Sequence, residues 1–192
     1  MRISRSIFSG FFFTSALLVA TAISIGEEGL LLEDLSGKKV NPLSVGEKKA
    51  VVLFFISPYC PTSNTFAPAM KEIEVEFSKD FLFYSVHSDP AVTAKDREAH
   101  REMMKIDHPV LDDSAQALAR KLGAKITPEV VVVGEDGGTL YQGRINDLYL
   151  GPTSRQQEAT KHDLKEALEA ILAGREVPVA KTEAVGCEIG GL

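Results

Sequence analysis

The feature that most constrains this chain is a strand pattern that leads directly into a cysteine. Residues 51–56 (VVLFFI) are an unbroken run of β-branched, aromatic and other apolar side chains, typical of a strand covered on both faces. Pro58 ends the strand because proline cannot donate to a ladder, and Pro61 suits the first turn of a helix. Apolar residues then recur at helical spacing, namely Phe66, Met70, Ile73 and Phe77. Cys60 is therefore predicted to lie at a strand-to-helix turn.

This position favours reactive sulfur chemistry. At a helix N-terminus, unpaired N–H groups and the positive end of the helix dipole stabilise a thiolate, the form that attacks disulfides and peroxides. We therefore expect a pKa of Cys60 below the free value of about 8.5. The second cysteine, Cys187, lies near the C-terminus in an aperiodic, extended tail, where we expect its pKa to stay near the free value.

The remaining pattern predicts an α/β chain. Residues 30–41 contain two short strand-like pieces around a Ser36-Gly37 turn, and residues 81–86 form a second β-rich run, parallel to the first if the intervening helix is a right-handed crossover. His87 follows that run at the sheet end that carries Cys60, and it either lines a site or is a solvated loop residue.

The second half continues the alternation of helices and strands. Helices are predicted at residues 91–105 and 115–122, and a final one ends at Ala173-Gly174. Between them, residues 129–133 and 139–142 form a hairpin around Asp136-Gly137-Gly138.

Four segments resemble the redoxin branch of the thioredoxin fold, which includes TlpA-like oxidoreductases and AhpC/TSA peroxide reductases. They are the strand leading into Cys60 with the Ala67-Pro68 pair in the helix after it, the Ile126-Thr127-Pro128 step before residues 129–133, the hairpin at residues 135–144, and the segment from His108 to Ala124. The resemblance implies a thioredoxin-like fold, with a central mixed β-sheet flanked by helices and an edge strand at residues 129–133. It also implies a cis Pro128 beside Cys60, which would leave the backbone of Thr127 free to bind an extended partner; Thr127 and Pro128 are thus the predicted substrate-binding residues.

One position departs from the family pattern. Ser63 stands where a C-x-x-C motif has its second cysteine. A mixed disulfide or sulfenic acid on Cys60 then needs another thiol for its release, and Cys187 is the candidate. Cys60 and Cys187 are the predicted catalytic residues, although a structural disulfide, an inert Cys187 or an interprotomer bond stay open.

The N-terminus predicts export. Arg2 and Arg5 precede an uncharged stretch at residues 7–25, and Ala20-Thr21-Ala22 resembles a signal-peptidase site. We predict a signal peptide at 1–22, a redoxin domain at 27–174 and a tail at 175–192, in a periplasmic or other extracytoplasmic protein. An uncleaved anchor is the alternative and would be the sole route to membrane association.

Composition limits the partners. The net charge of −6 becomes −6 − 2 = −8 once the two arginines are removed, so a nucleic-acid partner is not expected. We expect a thiol or disulfide protein or a peroxide as substrate, a thioredoxin-like electron donor, no cofactor and no metal.

Three functions from different classes remain open. The first is an exported thiol-disulfide oxidoreductase. The second is a thiol peroxidase with antioxidant activity, for which Ser57 matches the T/S-x-x-C pattern while Leu53 replaces its expected proline. The third is Sco-type copper binding by both cysteines and a histidine, although the C-x-x-x-C motif is missing. An inert interaction domain is the default if Cys60 is unreactive.

One further segment carries a resemblance. Residues 143–149 (GRINDLY) resemble an element of exported redoxin-like proteins, together with C-P-x-S-N at residues 60–64 and a late G-C-x-I at 186–189. The segment is either a recognition loop or a solvated turn in which Arg144 pairs with Asp147.

Overall fold

The structure is a computed structural model that describes residues 29–192. The predicted signal peptide at 1–22 lies outside the described residues. The strands are β1 Leu32–Asp34, β2 Lys39–Val40, β3 Ala50–Phe55, β4 Phe81–His87, β5 Val110–Asp112, β6 Ile126–Thr127, β7 Glu129–Gly134, β8 Thr139–Gly143, β9 Tyr149–Gly151, β10 Ser154–Arg155 and β11 Cys187–Glu188. The helices are α1 Pro61–Thr65, α2 Ala67–Phe77, α3 Ala94–Met104, α4 Ala117–Leu122 and α5 Asp163–Leu172.

A seven-stranded mixed sheet forms the centre, in the order β2-β1-β5-β4-β3-β7-β8. β3 runs parallel to β4 and antiparallel to β7, as the sequence predicts. All six residues of β3 are fully buried because both faces are covered, which explains its unbroken apolar run. The predicted α/β class and thioredoxin-like sheet are confirmed.

Two apolar layers cover the sheet. One contains alternate residues of β3, such as Val52 and Phe54, packed against side chains of α2 and α5. The other contains Leu53 and Phe55 on the opposite face, with α4 residues and Ile189 from the C-terminal segment. Because successive side chains of β3 point to opposite faces of the sheet, this strand contributes residues to both apolar layers.

Two local expectations are wrong. The helix after Cys60 is broken at Phe66, because Pro68 has no N–H for the carbonyl four residues earlier; α2 then begins afresh at Ala67. The strand expected at the edge, β7, is an interior strand, because its hairpin partner β8 covers its outer side.

Residues 175–192, called the tail from here on, run along the edge of the sheet. The tail follows β8 through a parallel bridge between Gln142 and Lys181, and its β11 pairs antiparallel with β6. Within residues 29–192, every helix is too short or too polar to cross a bilayer.

Candidate active site

Cys60 lies at the carboxyl end of β3 and forms the N-cap of α1, as the sequence predicts. Its backbone N–H donates to the Ser57 carbonyl (3.2 Å), and its own carbonyl accepts from the Asn64 N–H (3.3 Å). The side chain is 1% exposed. A thiol so deeply buried reacts with a large partner only after whatever covers it has moved.

The Thr127–Pro128 segment faces this turn. The Thr127–Pro128 peptide bond is cis, as the resemblance implies. The Cys60 thiol donates to the Thr127 carbonyl at 2.9 Å. The predicted catalytic cysteine and the predicted substrate-binding pair thus lie in direct contact.

The tail brings Cys187 to the same place. Cys187 pairs with Thr127 in the antiparallel β11·β6 ladder, and the Thr127 hydroxyl donates to the Cys187 carbonyl at 3.4 Å. Both cysteines are free thiols, Cys60 buried and Cys187 partly exposed. The backbone of Thr127, expected to be open to a partner, is instead occupied by the protein's own tail.

Gly186 makes the closest part of this contact. A Cβ at this position would lie 2.0 Å from the Thr127 carbonyl oxygen and 3.1 Å from Cδ of Pro128. Side-chain carbons do not approach a backbone oxygen so closely, so this position requires glycine. The glycine lets the tail lie flat on the cis-proline segment with Cys187 next to Cys60.

The pKa of Cys60 is shifted downward, as expected. Burial acts to raise this pKa, but hydrogen bonds to the sulfur from Cys187, from the backbone and hydroxyl of Ser63, and from the Thr127 side chain outweigh it. The Thr127 carbonyl accepts the thiol proton and so favours the neutral form; the lowering comes from the donors.

The expectation for Cys187 is wrong. Burial raises the pKa of Cys187 to about 11, and the hydrogen bond and charge of Cys60 add to the shift. The two thiols therefore act as one titrating pair, in which Cys60 loses its proton first and Cys187 keeps its own to donate to the thiolate.

Ser63, at the place of the missing cysteine, is fully buried. Its hydroxyl accepts from the Ser57 N–H at 3.4 Å and supports the Cys60 thiolate. Ser63 thus helps to ionise Cys60 but has no thiol with which to form a disulfide.

A chain of hydrogen bonds behind the cysteine turn was not predicted. It links Asn64 Oδ1 to His100 Nε2 (2.9 Å) and His100 Nδ1 to His87 Nε2 (2.8 Å), while Asn64 Nδ2 donates to the Pro58 carbonyl (3.4 Å). His87 is 1% exposed, so its interpretation as a solvated loop residue is wrong. This chain, called the histidine chain below, joins β4 and α3 to the turn that carries Cys60.

Both imidazoles of the histidine chain are neutral at physiological pH. Burial lowers the pKa of His87 to about 3, assisted by the charges of His100 and Arg97, and burial lowers that of His100 to about 4. Since Asn64 Oδ1 can only accept, Nε2 of His100 carries the proton, and His87 in turn donates from its own Nε2. The sequence signal for His100 was its spacing from Arg97 and Met104, which places all three on the buried face of α3.

The segment 143–149 is held by hydrogen bonds. Arg144 pairs with Asp163 (2.8 Å), so the suggested Arg144–Asp147 pair is wrong. Asp147 is buried and accepts from the backbone and hydroxyl of Thr160 (2.6 Å each) and from the Lys161 N–H (2.9 Å). These bonds fix the connection between β8 and α5.

Within residues 29–192, no group of three or more His, Cys, Asp and Glu side chains is arranged to hold a metal ion. His87 and His100 bond each other and Asn64 rather than the thiol pair. The copper-binding alternative gains no support from this arrangement.

Comparison with known proteins agrees with this geometry. A family model described as thioredoxin-like matches residues 47–139, which span the Cys60 turn, the cis-proline segment and the strands between them. The chain is a thioredoxin-fold protein. The predicted resemblance to the thioredoxin-fold redoxin family is thereby confirmed.

Solved structures are similar to this thioredoxin-fold protein over most of its length. A hypothetical protein from Sinorhizobium meliloti is 23% identical with a TM-score of 0.73, covering 83% of this chain and 89% of its own. An uncharacterized conserved protein from Geobacillus kaustophilus is 24% identical with a TM-score of 0.67, covering 83% and 86%. A secreted disulfide oxidoreductase from Mycobacterium tuberculosis is 17% identical with a TM-score of 0.55, covering 73% and 95%. No curated protein matches the chain.

Proposed function

We propose that this protein is an exported thiol-disulfide oxidoreductase in which Cys60 is the nucleophile and Cys187 the resolving thiol. The observation that carries the proposal is that both cysteines, 127 positions apart in sequence, meet at Thr127: the Cys60 thiol donates to the Thr127 carbonyl, and Cys187 pairs with Thr127 in the β11·β6 ladder. Of the two cysteines, Cys60 has the lowered pKa and Cys187 the raised one, which suits Cys60 for the first attack. The N-terminal sequence supports export, and the similar protein from Mycobacterium tuberculosis is described as secreted.

The reaction follows from the order of ionisation. The Cys60 thiolate attacks one sulfur of a substrate disulfide; a mixed disulfide forms and the other substrate sulfur leaves as a thiolate. Cys60 then no longer carries the charge that helps to raise the pKa of Cys187. Cys187 loses its proton and attacks the Cys60 sulfur, the Cys60–Cys187 bond forms, and the second substrate thiolate leaves. The substrate is reduced, and an external dithiol donor reduces the protein for the next cycle.

Two cysteine variants test this mechanism. Cys60→Ser should be inactive toward every disulfide, whereas Cys187→Ser should complete the first attack and accumulate a mixed disulfide, because the Ser63 hydroxyl cannot displace a thiolate. Mass spectrometry of the trapped species and of the oxidised wild type measures both, with Glu188→Gln as an exposed neighbour that should keep full turnover. Full turnover of Cys187→Ser would refute the resolving role.

A thiol peroxidase is the second candidate. It is favoured by the burial of Cys60, which a peroxide can reach through a smaller opening than a polypeptide needs. In that reaction the Cys60 thiolate attacks one peroxide oxygen, is oxidised to sulfenic acid, and releases water or an alcohol. Trapped sulfenic acid in Cys187→Ser after peroxide treatment, with no reaction toward disulfides, would select this candidate.

A further inference from the structure

The tail occupies the groove between the Cys60 turn and the cis-proline segment in the manner of an extended ligand. Cys187 and Glu188 pair with Thr127 and Ile126, and the Ile189 N–H continues the ladder by donating to the Lys125 carbonyl (2.8 Å). Backbone hydrogen bonds of this kind are made by any extended polypeptide with the same register. The tail therefore reveals what sequence this groove accepts.

At two positions of the tail, the groove restricts which side chain fits, a restriction that backbone pairing alone does not impose. The residue before the cysteine must be glycine, because a Cβ there would lie 2.0 Å from the Thr127 carbonyl oxygen. Two residues after the cysteine, Ile189 is 4% exposed and belongs to the apolar cluster that contains Leu118 and Ala124. Between these positions, Glu188 is exposed and unconstrained.

The end of the tail is held separately. Gln116 Nε2 donates to the Gly190 carbonyl (2.6 Å), and an Arg120 guanidinium nitrogen donates to the Gly191 carbonyl (3.0 Å). These contacts lie beyond the groove, on α4 and the residue before it. They explain why the tail is seated over Cys60 with both thiols reduced and no disulfide to retain it.

We propose that the groove accepts polypeptides in which glycine directly precedes the reactive cysteine, and that residues 185–189 are its resident copy, which a partner polypeptide must displace. The inference rests on the proposed function, since it names the substrate class of the same site. It makes the Thr127 carbonyl a specificity determinant: the atom that contacts Cys60 also excludes side chains before the substrate cysteine.

The test uses the full chain with Cys187→Ser, so that Cys60 is the reacting thiol, and adds Gly186→Ala to unseat the tail. The probes are peptides Val-Gly-Cys-Glu-Ile and Val-Ala-Cys-Glu-Ile, each joined through its cysteine to thionitrobenzoate. The Cys60 thiolate attacks the peptide sulfur and forms a new disulfide; the peptide–thionitrobenzoate bond breaks, and its electron pair leaves on the coloured thionitrobenzoate anion. Colour release gives the rate.

We expect the glycine peptide to react at least about tenfold faster than the alanine peptide, because the methyl group forces a backbone shift. The matched control is Gly190→Ala with Cys187→Ser, whose new Cβ meets no backbone atom and only the Asp89 carboxylate group, with both oxygens at 3.2 Å and Cγ at 3.3 Å. Its tail should stay seated, so it should react with the glycine peptide at least about tenfold more slowly than the Gly186→Ala protein. If Gly186→Ala does not fold, Cys187→Ser alone with excess peptide gives the same glycine-to-alanine ratio.

Equal rates for the two peptides would overturn the glycine requirement, and equal rates for the two glycine variants would overturn displacement of the tail. In both cases the proposed function stands, because Cys60 still exchanges disulfides. No colour release from either peptide or from the small disulfide of thionitrobenzoate itself would instead refute the proposed function, and the inference with it.

Discussion

Replacing Ile189 by alanine should expose Cys60 without touching it. The isoleucine side chain is 4% exposed and anchors the tail in an apolar cluster. Alanine removes three buried carbons, worth about 0.8 kcal/mol each, or about 2.4 kcal/mol in total. The Ile189 N–H still donates to Lys125, so the backbone pairing is kept. The lost free energy destabilises the seated tail and shifts its equilibrium toward the detached tail.

The expected effect on reactivity follows directly. Because about 1.4 kcal/mol is a factor of ten, detached tails should become about fifty times more frequent. If Cys60 reacts only while the tail is detached, its alkylation rate should rise by the same factor. The assay is the rate of reaction with a thiol reagent at constant pH, in a Cys187→Ser background so that the reacting sulfur is Cys60.

Val179→Ala provides the matched control. Val179 lies in the same tail but is 53% exposed, so its truncation removes little buried surface and should leave the rate within about twofold. Equal rates for Ile189→Ala and the unaltered tail would refute the reasoning, since the reagent would then reach Cys60 without detachment of the tail.

Three other changes test separate parts of the molecule. Ser63→Cys should restore turnover to Cys187→Ser, because it places a second thiol on the same turn as the nucleophile; disulfide mapping and turnover assays check this. Asp147→Asn should lower the free energy of unfolding by about 1.5 to 3 kcal/mol in denaturant titrations, because it weakens hydrogen bonds to a buried charge. Acid should destabilise the fold through His87 and His100, because the pKa values of both histidines are lower in the folded than in the unfolded state. Their contribution to stability is therefore full above about pH 6.5. As the pH drops toward the folded-state pKa values, the free energy of unfolding falls by up to about 1.4 kcal/mol per pH unit for each histidine.

Each of these predictions has its own comparison. For Asp147, the exposed hairpin carboxylate of Asp136 accepts the Gly138 N–H at 2.9 Å, and Asp136→Asn should cost only about 0.5 kcal/mol. For the acid effect, unfolding at pH 7.5 and pH 5 should show a smaller difference in His100→Gln and an unchanged one in His162→Gln, which alters an exposed histidine. If the double variant Ser63→Cys with Cys187→Ser remained without turnover, the prediction for Ser63 would be contradicted.

The sequence predicted the sheet because its central strands carry strong local signals. Residues 51–56 are an unbroken apolar run followed by a proline, and residues 81–86 are a β-rich run followed by a polar His-Ser-Asp segment. The unbroken apolar run matches the burial of β3 on both faces. The turn that carries Cys60 followed from the same local pattern. Pro128 was identified by resemblance, and no local signal fixes the isomer of a proline bond.

The contacts of the tail could not be predicted in the same way. β11 and β6 are two residues each, too short for a periodic signal, and the Thr127–Cys187 bond spans 60 positions. The sequence identifies Cys187 as the second cysteine but carries no signal for its burial, which is the main cause of its raised pKa. The glycine of Gly186-Cys187 was the one local hint that a backbone would approach closely there.

Under the proposed mechanism, the position of Cys187 couples the protection of Cys60 to its reaction. In a C-x-x-C motif the second thiol lies on the active-site turn and is present whether or not a substrate is bound. Here Cys187 sits on the segment that covers Cys60, so under the proposed mechanism the tail must leave for a polypeptide substrate to enter and return for the mixed disulfide to be resolved. Contacts that hold the tail, such as those of Ile189 and Gly186, slow the first step and favour the second. A tail variant that speeds attack on a protein disulfide should therefore accumulate more mixed disulfide, and turnover should pass through a maximum as the tail is progressively weakened.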